Sequence, residues 1–277
     1  MSIVKSLVIT GFGINCEEET AAAYRLAGAE ATIVHLNDIL LKSFSIHDFD
    51  ILNIPGGFSF GDDISSGKVL ANKIKYKQLP NGRTLLEEIK QFLANGKFIF
   101  GACNGFQVLV KLGLLPNING EVDQEVTLRT NNSGKYEDRW VHCKVNPNNN
   151  SPFLKGIDII ALPVRHGEGK LIIKDEAIKD AIIKGHLNCL TYCDSEGNAV
   201  TDYPLNPNGS QLNCAGLSDP NGQIFGLMPH PEAFLSLYNH PNWGQIKRQH
   251  PNISEDGQGL QIFKNIVEHV KAKVLVN

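Results

Sequence analysis

The chain has 277 residues, 42% hydrophobic and 20% charged, with a formal net charge of −3, which gives room for one large α/β domain or two small ones. The acidic balance, without a long basic run, excludes nucleic-acid binding as the main task. No apolar run near the start fits a signal peptide or a membrane span, and six cysteines without a C-x-x-C point to reduced thiols in the cytoplasm rather than a disulfide framework.

Residues 3–9 read as a short apolar strand, followed by a glycine-bearing loop, Thr10-Gly-Phe-Gly-Ile-Asn-Cys16. A helix spans 17–26, with acids in its first turn and Gly28 at its end. Strands follow at 31–35 and 51–54, the second closed by Pro55-Gly56-Gly57. Thr84-Leu-Leu-Glu87 is a capping box that opens a helix running to about 94. A further strand, 98–100, leads into Gly101-Ala-Cys103-Asn-Gly105 and a helical run over 106–112 that Gly113 stops. Strands and helices alternating at this spacing predict a parallel sheet covered on both faces. Ligands bind at the carboxyl ends of such strands, where the loops 10–16, 55–61 and 101–105 fall. Beyond Pro116, strands at 125–129, 139–145, 157–164, 187–193 and 223–228 predominate, and Phe263, Ile266, Val267 and Val270 recur at helical spacing. One domain over 1–277 is the simplest organisation.

Strand, G-x-C-x-G and helix together are the setting of a nucleophile elbow with cysteine in place of serine. The turn is tight, so Cβ atoms flanking the nucleophile would meet backbone. At a helix N-terminus the dipole and free N–H groups favour thiolate over thiol, and the N–H of Asn104 is positioned for an oxyanion. This setting favours a nucleophile at Cys103 over a buried core cysteine. A cysteine nucleophile needs a base held by an acid. In Met228-Pro-His-Pro-Glu232, extended backbone before each proline makes His230 and Glu232 project to the same side. His240 and His250 also precede prolines, but neither has an acid two residues on. Pro55-Gly-Gly-Phe-Ser-Phe-Gly-Asp62 is either a plain tight turn or a loop whose N–H groups approach a ligand; it is not a phosphate loop, because no Gly-Lys-Ser/Thr follows.

The G-x-C-N-G-x-Q around Cys103, the Pro-Gly-Gly-Phe-Ser-x-Gly-Asp of 55–62 and the Met-Pro-His-Pro-Glu of 228–232 resemble the class I glutamine amidotransferases. Gly13-Ile-Asn-Cys-Glu17, the Asn131 to Trp140 segment and His166-Gly-Glu-Gly169 make the closer likeness one to the glutaminase subunits of phosphoribosylformylglycinamidine synthase, of purine biosynthesis, from Leu7 to about Phe234. The resemblance implies a flavodoxin-like three-layer α/β sandwich around a central, mainly parallel sheet. It implies hydrolysis of glutamine to glutamate and ammonia through a γ-glutamyl thioester. Cys103 would be the nucleophile, His230 the proton shuttle and Glu232 its orienting acid. Gly57 and Asn104 would supply the oxyanion N–H groups, and Gly56, Gln107, Asn131 and Ser133 would line the glutamine pocket. For Asn131 and Ser133 an ordinary Asn-rich turn stays open, as does a structural role for His166 and Glu168 against one at the ammonia exit or the synthetase contact. ATP and magnesium would sit on a synthetase partner, with no cofactor or metal in this chain, and a small third subunit is an open question. Cys16, on the same sheet edge, reads as structural.

Two departures stand out. Asp63-Ile-Ser-Ser-Gly67 replaces a leucine-arginine pair usual in the family, and the 146–222 segment is longer than in compact bacterial subunits, which reads as lengthened surface loops more than partner contacts. The alternatives are another amidotransferase or cysteine hydrolase of γ-glutamyl peptidase type, and a non-catalytic regulatory subunit. Glu232 and the Gly-Gly-Phe-Ser loop argue against the hydrolase, and the presence of both Cys103 and His230 argues against the regulatory subunit.

Overall fold

The structure is a computed structural model that describes residues 3–42 and 44–274. In chain order the elements are β1 (Lys5–Thr10), α1 (Glu17–Leu26), β2 (Glu30–His35), α2 (Leu36–Leu41), β3 (Ile51–Ile54), α3 (Lys68–Tyr76), α4 (Leu85–Ala94), β4 (Phe98–Ala102) and α5 (Asn104–Leu112). Then come β5 (Val126–Thr130), β6 (Glu137–Val145), β7 (Ile159–His166), β8 (Glu168–Ile173), α6 (Glu176–Lys184), β9 (Leu190–Cys193), β10 (Cys214–Ser218), β11 (Ile224–Leu227), α7 (Trp243–Gln249) and α8 (Leu260–Val274).

The main sheet runs β2-β1-β3-β4-β11-β10-β9-β6-β7. Its first five strands are mutually parallel, in the order of a flavodoxin-like sheet. The central strands β3, β4 and β11 read ILNI, FIFGA and IFGL and are buried at every position, as strands covered on both faces must be. Helices α3, α4 and α5 pack together over one face, around Leu70, Ile89, Phe106 and Val108. Helices α1 and α8 cover the other, where Tyr24 meets Phe263 edge to face at 5.0 Å. This is the expected three-layer sandwich. The capping box at Thr84 forms with both of its reciprocal bonds, and Gly113 closes α5 in the left-handed conformation. The expected tail helix is α8, with Phe263, Ile266, Val267 and Val270 buried along one face.

The segment 146–222 is not a set of lengthened surface loops. It carries β7, β8, α6, β9 and β10, and β7, β9 and β10 help build the antiparallel half of the sheet with β6. Alternation at Ile160, Leu162 and Val164, all buried, supplies the reason. The sequence reading assigns no element over 68–76, where only Leu70, Ala71 and Ile74 bury from α3 among four lysines along the helix and just past it. No helix among the described residues is long and apolar enough to cross a membrane.

Candidate active site

β4 and β11 are neighbours in parallel register, with Leu227 opposite Ala102. Each strand therefore delivers its next residues to the same edge, and the N–H of Cys103 donates to the Leu227 carbonyl at 2.8 Å. Cys103 turns directly from β4 into α5, which starts at Asn104, two residues earlier than the sequence reading places it. The backbone of Cys103 sits at φ 50°, ψ −105°, outside the regions an L-residue prefers, a conformation that costs about 1–3 kcal/mol. The flanking glycines let the turn close. A Cβ on Gly101 would lie 2.8 Å from the carbonyl carbon of Gly105, and one on Gly105 would lie 1.7 Å from the carbonyl oxygen of Ile54. No side chain caps α5, so its first N–H groups, that of Asn104 among them, face the site without an intrahelical partner.

His230 follows β11, its N–H bound to the Pro163 carbonyl at 2.8 Å. Its Nδ1 lies 2.6 Å from Glu232 Oε1, and both residues are buried. The pair meets as expected, but not through extended backbone: Pro231–Ala233 form a single 3-10 turn. Proline at the first position, with φ already fixed near helical values, favours that turn, and the turn folds the Glu232 carboxylate back onto the ring. An ionised Glu232 accepts only, so Nδ1 carries the proton and Nε2, buried and without a hydrogen-bond partner, is left to exchange one. Burial alone would disfavour charge on this imidazole. Glu232 first, and Cys103 after it, outweigh burial and push His230 well above its ordinary value. The Cys103 Sγ itself rests 3.5 Å from the Arg165 carbonyl.

The loops 10–16 and 55–62 are bound to one another by an antiparallel bridge between Ile14 and Gly57, with Phe58 donating to Gly13 and Asn15 to Gly56. In that pattern the bonds lie outside the bridged pair, which leaves the N–H of Gly57 itself free of the ribbon. At φ 144° and with a Cβ position 2.5 Å from the Gly13 carbonyl, Gly57 has no room for a side chain. Gly56 packs on the base: a Cβ there would lie 2.7 Å from His230 Cε1. The side chain of Asn104 ties the elbow to this loop, accepting from the Ser59 N–H at 3.2 Å and donating to Gln107 Oε1 at 2.9 Å. Gln107 in turn donates to the Glu168 carbonyl.

Asn131 is buried and fully bonded: it donates to the carbonyls of Lys135 and His166 and accepts from the N–H of Gly169. Ser133 donates to Glu137 at 2.6 Å and, with Tyr203 and Asn206, lines a separate cavity of about 370 Å³. Thus the structure gathers Cys103, His230, Glu232, Gly56, Gly57, Asn104 and Gln107 at one edge. Asn131 holds the adjoining 166–169 turn, and Ser133 faces the separate cavity. Sequence reasoning missed two neighbours. Lys111, two turns along α5 from Cys103, is buried with its Nζ unpartnered, and burial pulls it below its ordinary value against the opposing pull of Glu168. Cys16, set aside as structural, places its Sγ 3.9 Å from His230 Nδ1. In place of the family's leucine-arginine pair, Ser66 and Gly67 bind the Asp62 carboxylate.

His166 lies one residue past Arg165, with Nδ1 3.2 Å from Asn131 Oδ1. Burial, with the nearby charge of His230 adding to it, lowers its pKa to about 3. The unfolded chain takes up this proton near pH 6.5 and the folded chain only near 3, so the stability is present in full above 6.5 and is lost as pH falls through that window. Urea unfolding of wild type should lose about 3 kcal/mol more than His166→Gln between pH 6.5 and 4, at about 1.4 kcal/mol per unit. Parallel curves for the two proteins would show that His166 ionises freely.

The model of the CobB/CobQ-like glutamine amidotransferase domain family matches residues 4–270. That match puts the chain in the glutamine amidotransferase class. Phosphoribosylformylglycinamidine synthase subunit PurQ of Dehalococcoides mccartyi is 43% identical over 269 residues, covering 97% of this chain and 98% of that protein. The subunit of the same name from Methanococcus maripaludis strain S2 is 42% identical over 275 residues, 96% of this chain and 97% of the relative. A chain of the PurLQS structure from Thermotoga maritima superposes with a TM-score of 0.68 at 28% identity, over 97% of this chain and all of that one. This chain belongs to the PurQ family of phosphoribosylformylglycinamidine synthase subunits.

Proposed function

We propose that this protein hydrolyses glutamine to glutamate and ammonia and hands the ammonia to a synthetase partner that makes formylglycinamidine ribonucleotide. The observation that carries the reading is the 2.6 Å His230–Glu232 pair beside a strained Cys103 at the head of α5. The Cys103 thiolate attacks the side-chain carbonyl carbon of glutamine. The oxygen's developing charge is held by the N–H groups of Gly57 and Asn104. His230 gives its Nε2 proton to the amide nitrogen, ammonia leaves, and a γ-glutamyl thioester remains. Water then attacks the thioester while His230 takes its proton, releasing glutamate and the thiolate. Glu232 stabilises the imidazolium throughout. Gly56 and Gln107 form the pocket wall nearest the elbow, and Asn131 supports that wall from behind.

The partner reading rests on family membership, and we add to it ATP and magnesium on the synthetase and a cytoplasmic setting. Phe12 and Phe58, exposed on the two bridged loops, offer an apolar rim for that partner. The test of the reaction is acid quench during glutamine turnover and mass mapping of the adduct: a glutamyl group on Cys103 is expected, and one on Cys16 or Cys214 instead would refute the assignment. Glu232→Gln keeps the shape but removes the charge that favours His230's protonated form. Turnover should fall by roughly tenfold to a thousandfold. Unchanged turnover would mean another group orients the ring.

A further inference from the structure

The mechanism leaves Cys16 unused, yet the chain places it against the catalytic base. Cys16 precedes α1, and its amide is bound to the Gly56 carbonyl at 3.3 Å; its Sγ lies 3.9 Å from His230 Nδ1. One donor atom each from Cys16, His230 and Glu232 lie within 4.8 Å of one another. Glu232 is 2% exposed, and its Oε2 has no hydrogen-bond partner. A thiol, an imidazole and a buried carboxylate with a spare oxygen make a donor set for a borderline-soft divalent ion. We propose that Cys16, His230 and Glu232 form a zinc-type inhibitory site.

The geometry fits with one small movement. Tetrahedral zinc with bonds of about 2.3 Å to sulfur and 2.0–2.1 Å to nitrogen sets the two ligands ~3.6 Å apart. The Cys16 Sγ to His230 Nδ1 separation is 3.9 Å. The Nδ1–Oε1 contact of 2.6 Å must open to about 3.4 Å, and turning the carboxylate to present Oε2 supplies that. Binding releases the Cys16 thiol proton and the Nδ1 proton to solvent. The consequence for catalysis rests on the proposed glutaminase reading. An ion on Nδ1 forces the ring's one remaining proton onto Nε2, the atom that must accept a proton from the attacking water. The base is then blocked without any contact between the ion and Cys103.

The experiment uses the full chain under reducing, chelator-free conditions with zinc chloride alone as the probe. Equilibrium dialysis with metal analysis is run on wild type, Cys16→Ser, Cys16→Ala and Cys103→Ala, each first checked for wild-type melting. Wild type and Cys103→Ala should bind one zinc per chain with similar affinity, and both Cys16 variants should bind at least about tenfold more weakly. Cobalt in place of zinc should give a thiolate charge-transfer band in wild type and Cys103→Ala that the Cys16 variants lack. Zinc binding unchanged in the Cys16 variants, or lost in Cys103→Ala instead, would overturn the site. These readouts do not depend on activity, so they stand or fall apart from the glutaminase reading. In a glutaminase assay, zinc should inhibit wild type reversibly, and the concentration for half-inhibition should rise at least about tenfold in Cys16→Ser. Equal sensitivity of the two proteins would overturn the inhibitory role.

Discussion

Cys103→Ala should lower glutamine hydrolysis by about ten-thousandfold or more, the scale seen when the nucleophile of a covalent mechanism is removed. The reason lies in what remains. Gly57, Asn104 and the His230–Glu232 pair would still polarise a bound amide, but no atom could take the glutamyl group, and water would have to attack a far less reactive carbonyl. The same change should leave the neighbours in place, because alanine keeps the Cβ at the strained position and loses only the sulfur, which rests 3.5 Å from the Arg165 carbonyl. In a reconstituted complex with the synthetase, Cys103→Ala should therefore abolish amidine synthesis from glutamine and preserve synthesis from a high concentration of ammonium salt. Failure of ammonium to rescue, while the wild-type complex uses it normally, would mean that Cys103 does more than release ammonia.

Much of this arrangement is legible in the sequence because it is local. The elbow needs glycine on both sides of Cys103, and the His–Pro–Glu order places an acid within reach of an imidazole. The parallel half of the sheet follows from apolar runs such as those of β3 and β4, spaced by amphipathic helices. What stays hidden is long-range. Cys16 and His230 are 214 residues apart and meet only because β1 and β11 both feed one edge across two intervening strands. The bonds that occupy Asn131 arise from the packing of the β5 end against the β7–β8 turn, which no spacing in 131–133 reveals. Helix α3 is hidden for a different reason: lysines dilute its apolar stripe, and it holds its shape through packing on α4 and α5. The 3-10 turn at Pro231–Ala233 is a case of right pairing by the wrong route, since i and i+2 approach in a tight turn as well as along an extended strand.

Gly105→Ala should cost both stability and catalysis, although alanine is the better helix former by about 1 kcal/mol. Its new Cβ would lie 1.7 Å from the Ile54 carbonyl oxygen and 2.7 Å from the Ile54 carbonyl carbon. These are backbone atoms, so no side chain can rotate aside, and ordinary contact requires the two segments to separate by well over an ångström. β3 is held on both sides, by β1 and β4, so the helix must yield. Overpacking of this kind costs about 1–3 kcal/mol or more, which exceeds the helix-propensity gain. A fall of several degrees in melting temperature follows, about 2–4 °C per kcal/mol for a chain of this size class. Catalysis suffers further because the part that moves is the head of α5, which carries Cys103 and the Asn104 N–H. Misplacing reacting groups by about 1 Å costs on the order of a hundredfold. Gly244→Ala is the control: it lies in α7 and a Cβ there meets nothing within 4 Å, so it should not lower the melting temperature and should leave turnover unchanged. If Gly105→Ala melts and turns over glutamine like the control, the close crossing of α5 over the end of β3 is not what sets the elbow, and the strain at Cys103 is held by its own turn alone.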